Sequence, residues 1–64
     1  MLMLRLTPRE GELGRLLVNG HSLASASEVM EISYNTARVH LSSLFTKTNT
    51  SRQSELMLFL RRLP

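Results

Sequence analysis

Side chains able to do chemistry cluster in one stretch of this 64-residue chain, Ser33-Tyr34-Asn35-Thr36-Ala37-Arg38-Val39-His40-Leu41-Ser42. Asn35, Arg38, Ser42 and Thr46 recur at spacings of three and four, so a helix would set them on one face. That face is polar and cationic and carries no carboxylate, which suits a surface meeting phosphates and base edges. Arg38 can bond O6 and N7 of a guanine with both arms of its guanidinium, or clamp a phosphate if the helix sits shallower. Val39 beside it would meet a thymine methyl; the competing reading is partial burial in a core. Tyr34 and Thr36 can donate hydroxyls to phosphates, with packing at the helix mouth the competing reading for Tyr34, and Lys47 reads as a phosphate contact that adds affinity and little base choice.

Other chemistries find little support. His21 and His40 are the only histidines, cysteine is absent, and no acidic residues are spaced to complete a metal site or a catalytic triad. No glycine-rich phosphate loop is present either. No enzyme, cofactor or metal site is therefore expected, and His40 is better read as a hydrogen-bonding group than as a catalyst. Net charge is +3, from eight Lys and Arg against five Glu. Its distribution matters more than its size. Four of the five carboxylates precede Ser33, and none falls between Ser33 and Ser54, where Arg38, Lys47 and Arg52 lie. A basic segment free of acids is the electrostatic footprint of polyanion binding. No apolar run approaches the roughly 18 residues needed for a bilayer span. Met1-Leu2-Met3-Leu4 is too short, and too soon interrupted by Arg5, for a signal peptide, so a cytoplasmic location is expected.

Four helices are expected to position these groups, over about 8–18, 23–30, 34–48 and 52–63, within a single domain spanning 1–64. A domain this small is marginal alone and without cysteine has no disulfide to staple it. The opening at Leu4-Arg5-Leu6-Thr7 reads as cut from a longer chain. Thr7-Pro8-Arg9-Glu10 is a dense helix start: Thr7 caps, Pro8 takes the first helical position, and Glu10 completes a capping box. Leu13, Leu16 and Leu17 would face a core, and Asn19-Gly20 would stop the helix. Gly11 and Gly14 each weaken it, and a tolerated weak helix is preferred here over close packing against a neighbour.

Ser22 can cap a short second helix rich in small residues. Glu31-Ile32-Ser33 then turns tightly into the third, capped by Ser33. Ala37, Leu41, Leu44 and Thr48, with Phe45 beside them, would face inward, and Asn49 is a plausible left-handed terminator. Thr50-Ser51 offer caps for the last helix, whose inward stripe is expected at Leu56, Phe59, Leu60 and Leu63. Met57 and Leu58 lie off that stripe and enlarge the apolar surface, which reads as a contact with a second copy; the competing reading is an edge of the core or a surface facing another domain. A short helix, a tight turn and a longer cationic helix form a helix-turn-helix arrangement.

Taken together, Leu6-Thr7-Pro8-Arg9-Glu10 with Glu12, then Gly20, Ile32-Ser33, Asn35-Thr36, Arg38-Val39-His40-Leu41, Phe45, Lys47 and Arg52-Gln53-Ser54-Glu55-Leu56 resemble the LuxR/GerE-type helix-turn-helix domain of bacterial regulators. The resemblance implies an all-α, four-helix helix-turn-helix bundle that binds duplex DNA specifically, as a transcriptional regulator or the C-terminal domain of one. It places the third helix in the major groove, with Arg38, Val39 and Ser42 facing bases. Ser33, Tyr34, Asn35, Thr36, His40 and Lys47 then fall on backbone-contacting positions, and Met57, Leu58 and Arg61 on the contact of a homodimer. Double-stranded DNA, a second copy and RNA polymerase are the implied partners. The chain departs from the family pattern at Ser42, which is short, at Leu23 and Ala26 in the second helix, at Gly11 and Gly14, and at Asn49, which replaces a glycine. An alternative is a protein-interaction module of the same fold that no longer binds DNA.

Overall fold

The computed structural model describes residues 6–62. The readings made on Met1–Arg5 and on Leu63 lie outside those residues. Four helices follow one another: α1, Pro8–Val18; α2, Leu23–Met30; α3, Tyr34–Thr48; and α4, Gln53–Arg61. Helices α1 and α3 are central, since each of them touches all three others, whereas α2 and α4 share no contact.

Local chemistry explains most of the boundaries. Thr7 accepts from the Glu10 N–H, and the Thr7 N–H donates back to Glu10 Oε1 at 3.0 Å, so two otherwise orphaned donors are satisfied at once. Ser22 caps α2 through the Ser25 N–H, and Ser33 caps α3 through the Thr36 N–H. The first three helices close alike. A residue with positive φ lets the following N–H reach back five residues: His21 to the Leu16 carbonyl, Ile32 to Ser27 and Thr50 to Phe45, each at 3.0 Å. Gly20 (φ 99°), Glu31 (φ 59°) and Asn49 (φ 55°) occupy the three hinge positions. Gly20, rather than Asn19 with φ −80°, supplies the left-handed residue after α1.

The fourth helix differs from its expectation at both ends. Arg52, not Thr50 or Ser51, is its N-cap and gives no side-chain hydrogen bond, and the last helical residue is Arg61. Glu55 instead reaches back beyond the cap to accept from the Ser51 N–H at 3.1 Å. The helix is also turned: Leu56 is wholly buried, and of the half-buried Met57, Phe59 and Leu60 it is Met57 and Leu60 that pack against the core with it. Docking against α1 and α3 selects the edge at 56, 57 and 60.

The core joins Leu13, Leu17, Ala26, Met30, Leu44 and Leu56, with Leu6, Leu16, Leu23, Ile32, Leu41 and Phe45 among the half-buried residues around it. The two helical glycines in α1 have different roles. A Cβ on Gly14 would lie 3.1 Å from Leu60 Cδ1, so this glycine admits α4 closely, against the expectation of a merely tolerated weak residue. A Cβ on Gly11 would meet nothing within 4 Å, and there the simpler reading stands.

Candidate nucleic-acid interface

The third helix sorts its residues by face. Ala37, Leu44 and Thr48 are buried, and Leu41 and Phe45 are half-buried against the core. Thr48, polar on the inner side, is reconciled with its surroundings by donating to the Leu44 carbonyl at 2.7 Å. Asn35, Arg38, Val39 and Ser42 point the other way and line one shallow, open depression. Val39 is 67% exposed, which decides against its burial in the core. Tyr34 and Thr36 are exposed at the mouth of the helix, and His40 is half-buried on its flank. The Ser33 hydroxyl does two things: it accepts the Thr36 N–H at 3.1 Å and donates to Thr36 Oγ1 at 2.9 Å. Both side chains are thereby held in place, with the Thr36 hydroxyl proton directed away from Ser33.

Lys47 does not project as a free cation from this face. It turns toward α1, where its Nζ lies 2.7 Å from Glu10 Oε1 in an ion pair whose Glu10 side chain is only 6% exposed. It sits on the side of α3 next to the buried Leu44 and Thr48, where a buried carboxylate waits for a cation. Burial opposes ionisation of Glu10, but hydrogen bonds from Lys47, Ser43 and the Thr7 N–H, together with the Lys47 charge, override it and lower the pKa from an ordinary 4.5 to about 2. A single carboxylate therefore closes the capping box of α1 and anchors the far end of α3.

Sequence reasoning took Glu10 for a cap alone. A further signal was present: Glu10 shares the stripe of Leu13, Gly14 and Leu17, at spacings of three, four and seven. A carboxylate on an apolar stripe demands a buried partner. Arg9 was missed as well. Its Nη1 donates to the Met30 carbonyl at 3.2 Å, tying the start of α1 to the end of α2, just before the turn into α3. Its 3.8 Å approach to Glu12 is exposed and contributes little.

The groups proposed for contact between copies separate too. Leu58 is 53% exposed and Arg61 is exposed, whereas Met57 is partly withdrawn into the core. Among the described residues no helix is long and apolar enough to cross a membrane.

The arrangement is a short helix, a tight left-handed turn and a longer helix whose outward face is polar, cationic and acid-free, all supported by a first helix that grips both. No curated protein and no solved structure matched the chain. The family model described as "Bacterial regulatory proteins, luxR family" (GerE) matches residues 4–60, and the chain belongs to that family of helix-turn-helix DNA-binding domains of transcriptional regulators.

Proposed function

We propose that this domain binds duplex DNA sequence-specifically, with α3 in the major groove, Arg38, Val39 and Ser42 toward the bases, and Tyr34, Asn35, Thr36 and His40 toward the sugar-phosphate backbone. The observation that carries the reading is the outward strip of Asn35, Arg38, Val39 and Ser42, which the protein's own fold leaves uncovered. A helix N-terminal half that enters the groove needs such a strip, and the supporting helices must hold it at a fixed angle. Arg9 on the α2 terminus and Glu10 on Lys47 supply that support from α1.

Lys47 enters this reading with a shared duty. Its side chain keeps 31% of its surface exposed beside Glu10, which supports contact with a phosphate from the paired state. Dimerisation is assigned to α4, through Leu58 and Arg61 with the rim of Met57.

Binding to duplexes selected from a random pool, measured across salt, tests the reading. Neutralising several phosphates releases counterions, so affinity should fall steeply and linearly in log–log form between about 50 and 200 mM salt. A flat response would overturn it. Titration followed by NMR distinguishes the alternative of a protein-interaction module. Shifts over Tyr34–Lys47 on adding duplex support the DNA reading, and shifts confined to α4 with a protein ligand, with none on adding duplex, refute it.

A further inference from the structure

We infer that copies of this chain meet head to tail: the end of α4 around Leu58, Arg61 and Arg62 docks on the end of α2 around Glu28, Val29 and Glu31 of a second copy. This rests on the assignment of α4 to contact between copies and names the surface that α4 meets.

Val29, Tyr34, Val39 and Leu58 are the large apolar side chains more than half exposed among the described residues. Tyr34 and Val39 belong to the end of α3 proposed for DNA. Val29 and Leu58 are left over, and their surroundings carry opposite charge. Glu28 precedes Val29 and Glu31 follows it by two, both exposed. Arg61 and Arg62 follow Leu58 by three and four, the spacings that share a helix face, and both are exposed. Arg62 caps the helix with right-handed backbone (φ −88°, ψ −10°), so the spacing holds to the end.

Neither patch is neutralised within its own molecule. The ion pairs among the described residues are Arg9–Glu12 and Glu10–Lys47, and none includes Glu28, Glu31, Arg61 or Arg62. Arg9 comes to the end of α2, but there it donates to the Met30 carbonyl, and its carboxylate neighbour is Glu12. Because α2 and α4 share no contact, the two patches do not meet in one molecule. DNA does not suit the patch at Val29, since phosphates repel carboxylates. Glu31 sharpens the point: it holds a left-handed position (φ 59°) where glycine fits more easily, yet its carboxylate engages nothing among the described residues. A second copy supplies what this patch lacks, an apolar side chain edged by guanidiniums. The contact joins two different surfaces, so each copy keeps one of each free and a third can add. One apolar side chain from each copy, edged by exposed ion pairs, makes a weak contact, with a dissociation constant of about millimolar order. Neighbouring sites on a duplex would raise its effect by holding copies close.

Amide NMR spectra of the chain without DNA, recorded from dilute to millimolar concentration, test this. Two variants each reverse one patch: Glu28→Lys/Glu31→Lys and Arg61→Glu/Arg62→Glu. Wild-type resonances over 28–32 and 58–62 should move together as concentration rises. Each variant alone should associate about tenfold more weakly, since exposed attractions become repulsions. An equimolar mixture of the two should recover the wild-type shifts, because each reversed patch then meets its reversed complement. Recovery also shows that both variants are folded. Shifts confined to α4 that survive Glu28→Lys/Glu31→Lys mean that α4 meets itself, which overturns the inference and keeps α4 as the contact between copies. Shifts at both patches that mixing fails to restore overturn it as well. No concentration dependence anywhere removes both, leaving the end of α2 to a protein of another kind.

Discussion

The two halves of α3 are built to opposite specifications. Toward its C-terminal end, Lys47 is drawn onto Glu10 at 2.7 Å, Thr48 bonds Leu44, and Asn49 closes the helix with φ 55°. Toward its N-terminal end, Asn35, Arg38 and Val39 stand exposed around an open depression with Ser42. Both halves pack inward, Ala37 and Leu41 included, but the outward side chains of the first are tied to the protein and those of the second are left available. The difference teaches that orientation and readout are separate jobs here.

Mutations can break that division or sharpen it. Glu10→Ala removes the partner of Lys47 and half of the capping box, and is expected to lower unfolding free energy by about 3 kcal/mol in urea. Arg38→Ala should stay within about 0.5 kcal/mol of wild type in the same measurement. Equal losses would dissolve the contrast between the halves. The Glu10 carboxyl also predicts a pH dependence. Its folded pKa is depressed, so its contribution is complete above about pH 5 and is lost as pH falls from 4.5 toward about 2. The loss is at most about 3 kcal/mol, and the corresponding slope should be absent in Glu10→Gln.

In DNA binding the order of the two halves inverts. Arg38→Ala should weaken the preferred duplex by about 1–3 kcal/mol and relax base choice at one position. Lys47→Ala should weaken all duplexes alike and also lower stability, which an outward lysine would not do. Competition between preferred and scrambled duplexes separates the two.

Smaller effects test the frame that carries α3. Glu31 holds the left-handed position between α2 and α3, where a non-glycine residue costs about 1–2 kcal/mol. Glu31→Gly should therefore gain about 1 kcal/mol, part of the relief being offset by the greater freedom of glycine in the unfolded chain. Smallest is the pair in α1. Gly11→Ala should stabilise by about 0.5–1 kcal/mol, because its Cβ meets open space. Gly14→Ala should gain less or turn unfavourable, because Leu60 must give way. Thermal melts of the two side by side would show whether α1 meets α4 as tightly as the 3.1 Å approach implies.

What could be read from the chain follows range of interaction. Thr7, Glu10, Ser22 and Ser33 announce helix starts because a cap bonds an N–H only three residues away, and Asn49 announces an end for a similarly local reason. The inward residues of α3 were legible from spacing, since a helix this long samples the period several times. The Glu10–Lys47 pair was not, because its members lie 37 residues apart and nothing local brings them together. Gly14 hides its purpose likewise: a glycine looks the same whether it faces solvent or Leu60. Glu31 was hidden for a different reason. Sequence preference favours Gly or Asn at a left-handed position, and here the docking of Ile32 into the core outweighs that preference. The turned edge of α4 misled because two periods of a nine-residue helix cannot distinguish Phe59 from Met57.

Because α4 alone opens without a side-chain cap, at Arg52, and meets α3 less extensively than α1 and α2 do, it is the element most weakly secured to the rest. Its amides should trade hydrogen for deuterium sooner than those of α1 and α3. Pairing of two copies through Leu58 and Arg61 would slow that traffic, so the melting temperature would climb with protein concentration. Docking on DNA as a pair would then double as a means of consolidating the protein itself.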